Sequence, residues 1–229
     1  MDVQYPFATD LARLQLLYRL PTSPAPQRLL VLTVDGEAVP MADHWPGPVQ
    51  RLALSALSLP PGLGTAQFDA VALPGTLALR RAHRPGPPLI NHAGLMRAVA
   101  GLLVPGGVIV GHLDHAWALR NLSRPGAAWA LLLARLTPGS ITGPARCLHA
   151  LAGAGFDAGQ CFYVQPSIAA PMALVPCRPA AARAHFLRAV RSSRPHCSGL
   201  GYAARLVLAW AGLGGIFQQQ LFFWARKPC

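Results

Sequence analysis

Two apolar runs with a helix-length segment between them constrain this chain more than any other feature. The first, Phe68-Asp69-Ala70-Val71-Ala72-Leu73, stops at Pro74-Gly75. It predicts a buried strand ended by a turn. The second, Val108-Ile109-Val110, follows the breaker Pro105-Gly106-Gly107. Between them, Leu95, Met96, Val99, Leu102 and Leu103 fall on one helical face of the segment 91–103. Strand, helix, tight turn and strand make a βαβ unit whose two strands run parallel.

The rest of the chain supplies further elements. Arg28 to Val34, RLLVLTV, is continuously apolar after its first residue and reads as a buried central strand. Val49 to Leu57 reads as a strand or a short helix. Thr9-Asp10 can cap a helix from Leu11 to Leu20. Ala127 to Leu136 and Ala180 to Arg191 are helical in pattern. A helix running through Arg146 ends at Ala154, where Gly155 suits a left-handed C-cap. Phe162-Tyr163-Val164 reads as a strand. Gln165 to Pro176 is punctuated by proline and reads as a loop. Gly201 to Leu213 is a helix that grows apolar, and Leu221 to Ala225 is a final strand. At 229 residues the chain suits one α/β domain.

The ordered pieces FDAVALPG and LMRAVAGLLVPGGVIVGHLDH resemble the second half of a class I S-adenosylmethionine-dependent methyltransferase. The Leu-x-Pro-Gly-Gly turn is the most specific part. The late helix ending in Ala154-Gly155-Phe156 and the ending Ala225-Arg226-Lys227-Pro228 fit the same pattern. The resemblance implies a Rossmann-like α/β three-layer sandwich. Its mostly parallel seven-stranded sheet would have an antiparallel last strand at the edge. It implies one domain over 1–229: a helical segment 1–27, the core sheet 28–165, an insertion or lid 166–215, and the last strand 216–229. It also implies S-adenosylmethionine as cofactor, in a crevice over Val34, Asp35, Gly36, Pro74 and Gly75. The reaction implied is methyl transfer to an unidentified small-molecule or glycan-type acceptor.

The sequence departs from the family pattern around that crevice. The segment after the first strand, Val34-Asp35-Gly36-Glu37, has one glycine where the family has a Gly-rich loop. No Asp or Glu occurs from Trp45 to Gln67, where the family places a carboxylate for the ribose hydroxyls. Leu57 and Ser58 stand where an Asp often meets the adenine. A second reading follows: a methyltransferase-like module that has lost cofactor binding and serves as a scaffold or binds a protein partner.

His112, Asp114 and His115 form the richest chemical constellation, just past a strand end. A histidine base near neutral pH could activate an acceptor hydroxyl or amine. In an extended segment, however, His112 and Asp114 share a side and His115 does not. A turn-capping Asp114 and a solvent-facing His115 are the plain alternative. No second cluster at metal-ligand spacing accompanies them, so no metal site is expected.

Charge and cysteines bear on partners. The net charge is +12, and Lys227 is the only lysine among 20 basic residues. Such arginine richness arises from GC-rich coding, or it serves an anionic partner. The arginines form no dense run with interleaved aromatics, which disfavours nucleic acid. Arg178, Arg183, Arg188, Arg191 and Arg194 either meet an anionic group or form a solvated helix face. An exposed apolar face on 201–213 would allow peripheral membrane contact. The five cysteines are odd in number and lack any CxxC pair, which argues against a disulfide framework or zinc site and for reduced thiols. The N-terminal stretch lacks the basic start and apolar run of a signal peptide. No apolar tract is long enough to span a bilayer. A soluble, cytoplasmic protein is therefore expected.

Overall fold

Leu29–Thr33 (β1) is apolar up to its closing threonine, and Leu29, Leu30, Val31 and Leu32 are all buried at 1% exposure or less. Burial on both faces identifies a central strand of a largely parallel sheet. In the computed structural model, residues 28–33, 47–53, 68–73, 92–114, 118, 141, 143–166, 171–192, 199–217 and 220–229 are described. Val49–Ala53 (β2) is a strand, which settles the choice left open above, and it pairs parallel to β1. Phe68–Leu73 (β3) pairs parallel to β1 on its other side. The helix His92–Leu102 (α1) then feeds directly into Leu103–Asp114 (β4), which pairs parallel to β3. The βαβ unit expected from the sequence is thus present.

The Pro105-Gly106-Gly107 breaker works as a large bulge inside β4 rather than as a separate turn. The register moves from Phe68↔Leu103 to Ala70↔Val108, so several β4 residues face the single residue Asp69. Gly106 takes φ +76, and a side chain on Gly107 would press on the Val104 carbonyl. Asp69 is structural: its carboxylate Oδ2 accepts the Arg28 backbone N–H at 2.8 Å and ties the starts of β1 and β3 together.

Pro144–Gly153 (α2) ends in a Schellman turn. Gly155 adopts φ +85, its N–H reaches the Ala152 carbonyl, and the Phe156 N–H reaches that of Leu151. Asp157–Pro166 (β5) follows. The stretch read as a proline-punctuated loop then forms a strand, Pro171–Pro176 (β6), antiparallel to β5. Its prolines sit at the two ends of a strand on the sheet edge, where a missing donor is tolerated. Pro179–Ser192 (α3) and Gly199–Trp210 (α4) are helices, and a short 3-10 turn spans Gly214–Phe217. Gln220–Arg226 (β7) completes the sheet.

The seven-stranded order is β2-β1-β3-β4-β7-β5-β6. β7 is antiparallel to both β4 and β5, so β1 to β5 share one direction while β6 and β7 oppose it. The last strand is antiparallel as expected, but it lies inside the sheet and not at its edge. Leu221, Phe222, Phe223 and Ala225 are all fully buried, which an edge position would not allow. One sheet face packs on α1 and α2 through Leu95, Met96, Val99, Cys147 and Leu151. The other face, with Val31, Ala72, Val110, Phe162 and Phe222, is equally buried. The sheet is therefore the inner layer of a Rossmann-like α/β sandwich. The helices expected over 11–20 and 127–136 lie outside the described residues.

Candidate functional site

Parallel neighbours bring their carboxyl ends to one edge of the sheet, and ligands of open α/β folds sit beyond that edge. β1, β3 and β4 are consecutive neighbours, with Val31 beside Ala72 and Leu73 beside Gly111. The strand ends at Thr33, Leu73 and Asp114 therefore lie on the same side of the sheet. β4 extends three residues past Leu73's partner, carrying His112, Leu113 and Asp114 over that edge. Gly111 makes the close packing here possible. A Cβ on it would lie 2.7 Å from Phe223 Cζ and 2.9 Å from the Leu73 carbonyl oxygen. Val34, Asp35, Gly36, Pro74, Gly75 and His115 lie outside the described residues. Asp114 closes β4 with its backbone opposite Gln220.

His112 is 9% exposed, the single buried polar or charged residue among those described. It pairs with Phe222 across the ladder and so shares that ring's face of the sheet. Burial lowers its pKa to about 4. The ring is neutral at pH 7, able to donate one hydrogen bond and accept another. Its basicity is lower than the near-neutral value that general-base work favours.

A second titratable contact went unread in the sequence. His185 of α3 lies 2.9 Å from Gln165 Oε1 at the carboxyl end of β5, with its ring edge-on to Phe186. Burial, and then the Arg188 charge, lower its pKa. Spacing gave no signal, because 20 residues separate the partners and a strand pairing intervenes.

The structure also gathers three of the five cysteines. Cys147 of α2, Cys161 of β5 and Cys177 just after β6 meet where these elements pack. The Cys177 N–H donates to the Cys161 carbonyl at 2.9 Å. The Cys161 thiol hydrogen-bonds those of Cys147 and Cys177. For Cys147 that bond, then burial, raises the pKa; for Cys177 burial comes first, then the Cys161 thiol. The Cys147 and Cys177 thiols stay protonated and poorly nucleophilic. A cavity of about 430 Å³ opens beside them, lined by Leu148, Gln160, Cys161, Tyr163, Cys177 and Arg178. Gln160 Oε1 is buried there without a hydrogen-bond partner. Among the described residues no group of three or more His, Cys, Asp or Glu is placed to hold a metal ion. No described helix is long and apolar enough to cross a membrane.

Five co-directional strands, with an antiparallel strand inserted next to β4 and helices packed on the sheet, define the class I S-adenosylmethionine-dependent methyltransferase fold. No protein-family model matches the chain, and no curated protein matches it. Solved structures do. A phosphoethanolamine N-methyltransferase 2 from Haemonchus contortus, bound to phosphomonomethylethanolamine and S-adenosylhomocysteine, is similar over 94% of this chain with a TM-score of 0.50 and 14% identity. The chain spans about half the length of that protein, 52%. An S-adenosylmethionine-dependent methyltransferase from Thermotoga maritima gives 0.46 at 8% identity, covering 93% of this chain and 87% of that one. A geranyl diphosphate methyltransferase in complex with S-adenosylmethionine gives 0.43 at 13% identity, covering 95% and 85%. At these identities the likeness concerns the fold.

The residues present fit an S-adenosylmethionine site in part. The adjacent carboxyl ends of β1, β3 and β4 provide the edge on which such a ligand would rest. β2 lies beside β1 and ends at Ala53, yet the sequence from Trp45 to Gln67 offers no carboxylate for the ribose hydroxyls.

Proposed function

We propose that the chain binds S-adenosylmethionine at the carboxyl edge of β1, β3 and β4 and transfers its methyl group to a small-molecule or glycan-type acceptor. The observation that carries this reading is the sheet itself: its order places three adjacent parallel strand ends at one edge, in a methyltransferase fold. The cofactor, when bound, supplies an electrophilic methyl group. The protein's part is then alignment, and methyl transfer depends on in-line positioning more than on strong acid–base chemistry. Neutral His112 suits that task, holding a polar group of acceptor or cofactor without carrying charge into an apolar wall.

A second reading rests on one specific observation. Without a carboxylate after β2, the ribose diol would lack its charge-assisted acceptor. This favours a methyltransferase-like scaffold that binds a protein partner. Calorimetric titration with S-adenosylmethionine and S-adenosylhomocysteine decides between the two. Micromolar binding that is weakened by Gly36→Trp or Gly75→Trp supports the enzyme. No heat up to millimolar ligand, from protein with an intact thermal transition, sinks that reading and leaves the scaffold.

A further inference from the structure

A helix that packs on one side normally turns polar residues to the other. α4, GLGYAARLVLAW, breaks that rule. Its inner side meets α3 through Ala209 and Phe186. Its outer side shows Leu200 at 88%, Val207 at 64% and Trp210 at 69% exposure. These positions, seven and three residues apart, lie on one face, with the exposed Ala203, Ala204 and Ala211 between and beside them. Arg205 is the only charged residue in the helix.

The stripe is fixed in place. Gly212 takes φ +78, its N–H reaches the Ala209 carbonyl, and the Leu213 N–H reaches that of Leu208. This Schellman turn holds Leu213, 50% exposed, against the end of the helix. Gly214 and Gly215 then pack so tightly on Phe186 and Tyr163 that neither has room for a side chain. α4 is thereby anchored to the sheet through Tyr163.

The segment that carries the stripe has charge of one sign. Residues 158–229 contain seven arginines, one lysine and no Asp or Glu. On α3, the helix against which α4 packs, Arg183, Arg188 and Arg191 are exposed, as is Arg178 just before it. A second copy docked here through the same segment by a two-fold axis would set arginines against arginines, and that segment supplies no carboxylate to pair with them. An anionic lipid surface complements both features, because headgroups take the guanidinium groups while Leu200, Val207, Trp210 and Leu213 enter the acyl boundary. A 12-residue helix, about 18 Å long, cannot span a hydrocarbon core of about 30 Å. It lies in the interface.

We propose that α4 and the arginines of α3 form a docking face for anionic membrane surfaces. This inference is independent of any ligand at the strand ends. The test is flotation of the full chain with phosphatidylcholine vesicles, with and without phosphatidylglycerol. Binding should be tighter by about tenfold or more on the anionic vesicles. It should fall away in salt near 1 M, where the Debye length shrinks to about 3 Å. Leu200→Asp with Val207→Asp should abolish it while leaving the thermal transition in place. Arg188→Glu with Arg191→Glu, a surface change, should weaken it without touching the stripe. Vesicles should also blue-shift the tryptophan emission, and Trp210→Phe should remove that shift. Equal binding by all variants, or no binding to anionic vesicles, overturns the proposal. So does a dimer in light scattering that the aspartates dissociate, or preferential capture of an oligonucleotide over vesicles.

Discussion

At the scale of single residues, His112 shows how burial redirects a chemically attractive side chain. An unfolded histidine titrates near 6.5, and in the fold this one titrates at about 4. Between those values the unfolded chain binds more protons than the folded one, so stability rises with pH through the window. The contribution is complete above 6.5 and is lost as the pH falls from 6.5 towards 4, on the order of 3 kcal/mol. His112→Gln should flatten this part of the profile in urea titrations. The half-buried His185 shifts in the same direction, so His185→Gln is the companion variant that separates the two. An unchanged acid slope in His112→Gln would mean that the ring is not held neutral by the fold. The pattern His-x-Asp-His marked this residue as notable, but a pattern carries no information about what covers it. The thiol cluster was less legible still. Cys147, Cys161 and Cys177 sit 14 and 16 positions apart, and it takes both the pairing of β5 with β6 and the packing of α2 on the sheet to bring them together.

At the scale of elements, the local signals were mostly sound, and the failures have physical reasons. Gly155 was legible as a helix cap because few other residues accept its backbone conformation. Pro171 and Pro176 misled, since proline signals a loop except on an edge strand, and edge position is set by distant pairing. The ending Arg226-Lys227-Pro228 was visible, but its purpose was not. Lys227 Nζ donates to the carbonyls of Ala100 and Leu103 at 2.8 and 2.7 Å, capping the carboxyl end of α1. Its backbone N–H reaches the Gly107 carbonyl at 2.8 Å, and the Gly106 N–H reaches the Lys227 carbonyl, so the segment clips the β4 bulge as well. A compact ammonium with three rotatable donors suits two converging carbonyls better than a planar guanidinium does, and this position holds the single lysine of an arginine-rich chain. Lys227→Met keeps the apolar stem and removes the donors. It should lower unfolding stability by about 1–3 kcal/mol and speed amide exchange in the last turn of α1. Lys227→Arg should fall between the two. Equal denaturant midpoints for all three proteins would show that the cap contributes nothing.

At the scale of the whole molecule, β7 decides how the sheet holds together. The run Leu221-Phe222-Phe223-Trp224-Ala225 is apolar at every position, and that is the signature of a strand buried on both faces. The family resemblance alone suggested an edge position, and the pairing places it between β4 and β5 instead. The order β4-β7-β5-β6 shows that, among the described residues, β5 and β6 are hydrogen-bonded to the other strands through β7 alone. Phe223 lies at that junction, fully buried and in contact with the backbone of Gly111. Phe223→Ala should therefore cost about 3–5 kcal/mol in denaturant unfolding. Because β7 is bonded on both sides, the loss should be global. Amides of β1 and of β6 should gain exchange together, within one transition. If β6 opened alone while β1 kept its protection, the two sides of the sheet would be separate folding units. A bridge of this kind also delays completion of the sheet, since β4 must wait for a strand more than 100 residues further along the chain. Contacts of such long range make folding slow compared with a helical bundle of similar size.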